Sequence, residues 1–148
     1  MQSKLLNGGN GGARTYAVVL ETDEEVMGCL KAFADSERLS AAHFSAIGAF
    51  SDAVLAYFDW QEKKYRPIPV DEQVEVATLT GDIAIAPDGS RALHVHLIVG
   101  RRDGSALAGH LERAHVRPTL EVILTESPAH LRRVHDPESG LALIRPEG

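Results

Sequence analysis

The stretch ALHVHLIVGRRDGSALAGHL, Ala92–Leu111, decides the fold class. Within it, Leu93-His94-Val95-His96-Leu97 alternates apolar and polar side chains, the period of a strand with one buried face. Arg101-Arg102-Asp103-Gly104 then supplies a tight turn, for which Asp-Gly is favoured chemistry. Ser105–Leu111 predicts the returning strand. With the turn at Arg102–Ser105, positions near 96 and 110 lie opposite each other, about 5 Å apart. His94 and His96 point to one face, and His110 joins them from the neighbouring strand.

The same period of two recurs on both sides of this hairpin. Arg14–Glu21 reads as a strand, with Tyr16, Val18 and Leu20 on one face. Ala42–Ile47, ended by Gly48, and Ser51–Trp60 read as two further strands. Lys63–Val70 is expected at a sheet edge, because Pro67 and Pro69 cannot donate to a central ladder. Gln73–Ala86 is a long strand with a bend or bulge expected at Gly81. Pro87–Ser90 is a turn. Leu120–Thr125 is a last core strand, and short strands are expected near Arg132–His135 and Leu141–Ile144. One segment changes period: Val26, Leu30, Phe33 and Ala34 recur at helical spacing, predicting a helix from Thr22 or Asp23 to about Leu39. Cys29, the lone cysteine, falls on the apolar side of that helix and is expected to be a buried, inert thiol. One helix against many antiparallel strands predicts a single α+β domain over residues 14–148. Residues 1–13, with Asn7-Gly8-Gly9-Asn10-Gly11-Gly12, read as a flexible glycine-rich arm.

With 148 residues, 44% hydrophobic and 24% charged, the chain suits one globular domain. No apolar run is long enough to span a bilayer, and the N-terminus lacks the pattern of a secretion leader, so a cytoplasmic protein with no membrane partner is expected. Net charge is -6, which argues against a generic nucleic-acid binder. The charge is uneven, however. Residues 91–133 carry seven arginines against four acids, whereas residues 1–90 balance at -7. The arginine-rich segment coincides with the histidines and suits an anionic ligand or an acidic partner.

Three neutral imidazoles leave one coordination position for water or substrate. That pattern predicts one divalent transition metal on His94, His96 and His110, with Zn²⁺ favoured and Ni²⁺, Co²⁺ or Fe²⁺ compatible. His115 is a possible additional ligand. His43, His130 and His135 read as surface residues. An enzyme built on this ion needs a general base. Glu121, a carboxylate inside the apolar run Leu120–Leu124, is the candidate, and Arg101, Arg102 and Arg117 are candidates to bind substrate charge. No nucleophile elbow and no phosphate loop is present.

Five segments together resemble the PPC domain, the plants-and-prokaryotes conserved domain. They are Ile47–Leu55, Leu79–Ile83, Leu93–Leu97, Gly109–Leu111 and Pro118–Leu124, in the family's order, over about residues 14–127. The resemblance implies a compact α+β domain assembled as a homotrimer, and a metal at the histidine constellation, here His94, His96 and His110. It also implies the DNA-binding label that stand-alone prokaryotic members carry, with a role in regulation or assembly. The chain has no Arg-Gly-Arg-Pro hook of the kind that enters an A·T-rich minor groove. The plant segment Gly-Arg-Phe-Glu-Ile-Leu, linked to partner recruitment, corresponds here to Gly81–Ala86 without the arginine and glutamate, so that role is not carried over. Three functions follow as expectations: a homotrimeric metal-binding module for regulation or assembly, a metal-dependent enzyme acting on a small anionic substrate, and a DNA binder using a basic trimer face.

Overall fold

In the computed structural model, which describes residues 1–8, 13–127 and 129–146, the hairpin forms as expected. Strand β6 (Arg91–Gly100) returns as β7 (Ala106–Glu126). Arg101 N–H donates to Ser105 O and Gly104 N–H to Arg101 O, with Gly104 at φ 83°. His96 lies directly opposite His110. The remaining elements are β1 (Gln2–Asn7), β2 (Thr15–Glu21), α1 (Val26–Ser36), β3 (Ala41–Asp59), β4 (Lys64–Val70), β5 (Val74–Ile85), β8 (Arg133–His135) and β9 (Ala142–Ile144).

The first seven form one sheet in the order β1-β2-β7-β6-β5-β3-β4, and β7 pairs also with β3. Because β3 joins β5, β5 joins β6, β6 joins β7 and β7 joins β3, these four strands close a ring. Every pairing in the sheet is antiparallel. β4, with its two prolines, occupies an edge as expected. β8 and β9 form a separate two-stranded hairpin. It is tied to the main sheet where Ile85 N–H donates to Leu131 O.

The alternation that predicted the strands also sets their faces. Val95, Leu97 and Val99 of β6 are buried, as are Leu111, Leu120, Val122 and Leu124 of β7. They share one core with Phe44, Phe50, Leu55, Leu79 and Ile83, over which α1 lays Val26, Leu30, Phe33 and Ala34. His94, His96 and His110 therefore belong to the outer face of the sheet. The described helix is too short and polar to cross a membrane.

Several expectations are corrected. Gln2–Asn7, read as part of a flexible arm, is a strand paired with β2 through Gln2↔Val19 to Asn7↔Thr15. Its glycines at 9, 11 and 12 lie outside the described residues. The helix starts later, because Asp23 takes a left-handed backbone (φ 68°) and Glu25 is the residue that caps it, accepting from the N–H groups of Met27 and Gly28. It ends at Ser36, where Arg38 turns left-handed (φ 54°). The strands expected to stop at Ile47 and Leu111 run on through register shifts, making β3 and β7 single strands of 19 and 21 residues. The irregularity of β5 falls between Val76 and Thr78 rather than at Gly81, which pairs regularly with Val95 and Phe44. Gly81 is there for space: a Cβ would stand 2.5 Å from the Phe44 ring and 2.8 Å from His94 O.

Candidate metal centre

His94 and His96 alternate outward on β6, and His110 faces His96 across the ladder to β7. The rings pack at centroid separations of 4.9 Å (His94 to His96), 5.2 Å (His94 to His110) and 5.4 Å (His96 to His110). One ligand nitrogen from each lies within 4.8 Å of the others. The Nε2 atoms of His94 and His96 are 3.2 Å apart. A tetrahedral ion with bonds of about 2.0–2.1 Å requires ligand spacings of about 3.4 Å, so this pair already has nearly the spacing an ion needs.

Two further observations fit an ion. His110 Nδ1 is buried and has no hydrogen-bond partner among the described residues; an ion ligated through that nitrogen would satisfy it, whereas ligation through Nε2 would not. Burial, with the neighbouring imidazoles adding to it, pushes the His110 pKa down to about 4 and that of His94 down as well. Both rings are therefore neutral near neutral pH, the form that donates a lone pair to a metal.

Three side chains that the sequence did not single out complete the surroundings. Tyr65 of β4 stacks on His110 with centroids 4.6 Å apart and planes 26° from parallel. Asp82, opposite His94 in the β5–β6 register, places Oδ2 3.9 Å from His94 Nδ1. That is the side of the ring away from Nε2, and at this distance the contact is an electrostatic one, longer than a hydrogen bond. Asp82 in turn pairs with Arg133 of β8, whose side chain is only 7% exposed. Asp82 became visible only through strand register, which pairs position 82 with 94. Arg133 carried no signal, since it lies in a loosely patterned tail.

The other expected residues stand elsewhere. Glu121 projects from the outer face of β7, exposed rather than buried, because Leu120 and Val122 on either side take the inward positions. It lines a depression with Ile47, Gly48 and Val76, eleven positions along the strand from His110. The structure does not bring it to the histidines within one chain. Arg101 and Arg102 sit at the tip of the β6–β7 hairpin, and Arg101 Nε is 2.9 Å from Glu72. Five residues from His96 along an extended strand is about 17 Å. Arg117 is exposed near Asp23 at 3.8 Å. His115 is held by Asp52, with Nδ1 3.0 Å from Oδ1, and does not join the three. Cys29 is partly buried against the core, and burial raises its thiol pKa.

Three solved structures are similar over nearly the whole chain. A plant- and prokaryote-conserved (PPC) protein from Pyrococcus horikoshii is 28% identical, with a TM-score of 0.85 over 91% of this chain and 93% of its own. A metal-containing protein from Archaeoglobus fulgidus is 27% identical, with a TM-score of 0.83 over 99% of each chain. A candidate DNA-binding protein from Bacteroides thetaiotaomicron is 29% identical, with a TM-score of 0.86 over 97% and 96%. No curated protein matches the chain. The Plants and Prokaryotes Conserved (PCC) domain profile matches residues 8–128, which include all three histidines and every main-sheet strand after β1. By that match, with its agreement in fold, the chain belongs to the Plants and Prokaryotes Conserved domain family.

Proposed function

We propose that this protein is a metal-binding PCC-domain module that holds one divalent transition ion, Zn²⁺ by preference, on His94, His96 and His110. The observation that carries this reading is the convergence of three outward imidazoles, with one ligand nitrogen from each within 4.8 Å of the others and two Nε2 atoms 3.2 Å apart. The similar Archaeoglobus fulgidus protein is described as metal-containing, which adds support. A set of three nitrogen donors leaves a position open. A bound ion there acts as a Lewis acid and lowers the pKa of its water towards about 7. Around it, Asp82 stands 3.9 Å from His94 Nδ1, and Tyr65 stacks on the His110 ring.

The module acts as a homotrimer. Support lies in the family resemblance and in Ile47 and Ile123, which stand 61% and 49% exposed on the outer face where β3 pairs β7. An apolar pair so placed suits coverage by another subunit. A regulatory role on DNA is the second reading. It is supported by the description of the Bacteroides thetaiotaomicron relative and opposed by the net charge of -6.

Elemental analysis and Zn²⁺ titration test the metal. One ion per chain is expected, and His96→Ala weakens binding by more than about 100-fold, since even losing an outer-shell partner of a ligand costs 10–100-fold. His96 is exposed, so the variant keeps the thermal stability of the metal-free parent. A chain that takes up no zinc, or a variant that unfolds, defeats the reading.

A further inference from the structure

Glu121 has surroundings that are unusual for an exposed carboxylate. Its cross-strand neighbours are Val19 on β2 and Ile47 on β3, and Ile123 follows it on the same face of β7. The depression it lines is otherwise walled by Ile47, Gly48, Val76, Ala77 and a second acid, Glu75. No cationic side chain is among those walls or strand partners. Glu75 also borders the cleft of Arg101 and Arg102, so positive charge lies close to it but not to Glu121. Ile47 and Ile123 are the exposed apolar pair of the face assigned to subunit contact. Covering them covers Glu121 as well, and a carboxylate taken out of water without a partner is costly. The covering subunit must therefore bring positive charge.

The metal centre has the opposite imbalance. Its three converging ligand atoms are all imidazole nitrogens, with no carboxylate among them. Asp82, the acid beside His94, is already paired with Arg133. An ion on three neutral rings keeps its double charge uncompensated on the outer face of the sheet. That centre also has an apolar border, because Ile98, two residues beyond His96, is exposed. Arg101, Arg117 and Arg133, by contrast, each have a carboxylate within their own chain. The acidic patch and the histidines lie at separate places on one chain. Complementary patches so placed make a head-to-tail contact, which closes into a ring when the rotation between copies allows it.

We propose that each metal centre is completed between subunits, with Glu121 of the partner subunit taking the position that His94, His96 and His110 leave open. The inference rests on the metal reading and on the trimer. Three nitrogens and one carboxylate oxygen make a closed tetrahedral set, the form of a structural zinc site. The position open in a single chain is thus filled in the assembly. Zinc binding and assembly then strengthen each other, since the complete site exists only between copies.

The test uses two full-length variants, Glu121→Gln and His96→Ala, separately and mixed after removal of zinc. Zinc affinity is titrated, and mass is followed by light scattering with and without chelator. Glu121→Gln is expected to weaken zinc binding at least about tenfold. It keeps the thermal stability of the metal-free parent, because Glu121 is exposed in the single chain. The parent is expected to lose trimer mass on chelation at low protein concentration. Mixing the variants restores parent-like affinity at one site per mixed trimer. The Glu121→Gln chain brings intact histidines there, and the His96→Ala chain brings an intact Glu121. A site contained in one chain gains nothing from mixing. If the parent binds one zinc per chain but Glu121→Gln binds it as tightly, or the mixture recovers no tight site, the proposal is overturned and the metal reading stands. A parent that binds zinc tightly as a monomer has the same consequence. A Glu121→Gln chain with a weaker trimer and unchanged zinc affinity points to an arginine as the partner of Glu121, and overturns the proposal too. If the parent takes up no zinc, the metal reading fails and this inference falls with it.

Discussion

At the scale of single residues, charge and burial decide which side chains matter. Arg14 shows this away from the histidines. Its Nε and Nη2 donate to the two carboxylate oxygens of Glu126 at 2.6 and 2.9 Å, and it reaches Glu37 as well. The pair joins the start of β2 to the end of β7, and Glu126 is only 18% exposed. The hydrogen bonds from Arg14 hold the Glu126 pKa below its ordinary value, against the opposing effect of burial. A depressed carboxyl pKa contributes stability that is full above the unfolded value of 4.5 and lost as pH falls through the folded one. Arg14→Ala should therefore cost about 1–3 kcal/mol at neutral pH, by leaving Glu126 without its partner. That cost should shrink on acidification, as Glu126 takes up a proton in both states. Urea unfolding of parent and variant across the acid range checks both the size and the sign. Residue identity also pointed to His94, His96 and His110, whose rings the fold brings within 4.8 Å of one another, because two-residue spacing on a strand puts side chains on one face. Glu121 misled for the converse reason. A charge in an apolar run looks buried until strand alternation is respected, and alternation turns it outward.

Among the elements, the strands were legible and their ends were not. Period-two patterning identified β2, β5, β6 and both halves of β3 and β7, since each has an inward face of Val, Leu, Ile, Phe or Ala, whereas β4 was placed at an edge by its two prolines. It could not show that Gly48 is a site of close approach rather than a stop. A Cβ there would stand 2.2 Å from Thr119 O, so the glycine lets β3 pass against β7 without ending. Gly81 makes the parallel case inside β5. Gly81→Ala should destabilise the protein by about 1–3 kcal/mol through overpacking against the Phe44 ring. It should also weaken zinc binding, because Asp82 follows directly and His94 O is the second contact. Thermal unfolding and zinc titration of the variant read the two effects separately. Were it as stable as the parent, the close packing described between β5, Phe44 and β6 would be refuted.

For the molecule as a whole, assembly and surface charge are the quantities to measure. A homotrimer predicts a light-scattering mass three times that of one chain at micromolar concentration. Ile47→Asp should reduce it to the mass of one chain, by placing a charge in the covered face. A parent that runs as a monomer contradicts the trimer. The DNA reading predicts a gel shift on A·T-rich duplex at low salt that weakens steeply as salt rises, because phosphate contacts release counterions. With seven arginines in residues 91–133 but a net charge of -6, weak binding confined to low salt is the expected result. No shift at any salt excludes DNA as a direct partner.

The sequence by itself determined the α+β class, the antiparallel hairpin and the three-histidine grouping. Those depend on side-chain period and turn chemistry, which are local. Only the tertiary structure decided that β7 reaches across to β2, β3 and β6, that Gln2–Asn7 pairs as a strand, and that Tyr65, Asp82 and Arg133 surround the histidines. Those contacts join positions far apart in the chain. Strand order, register and the docking of a hairpin create them, and none of these leaves a local pattern.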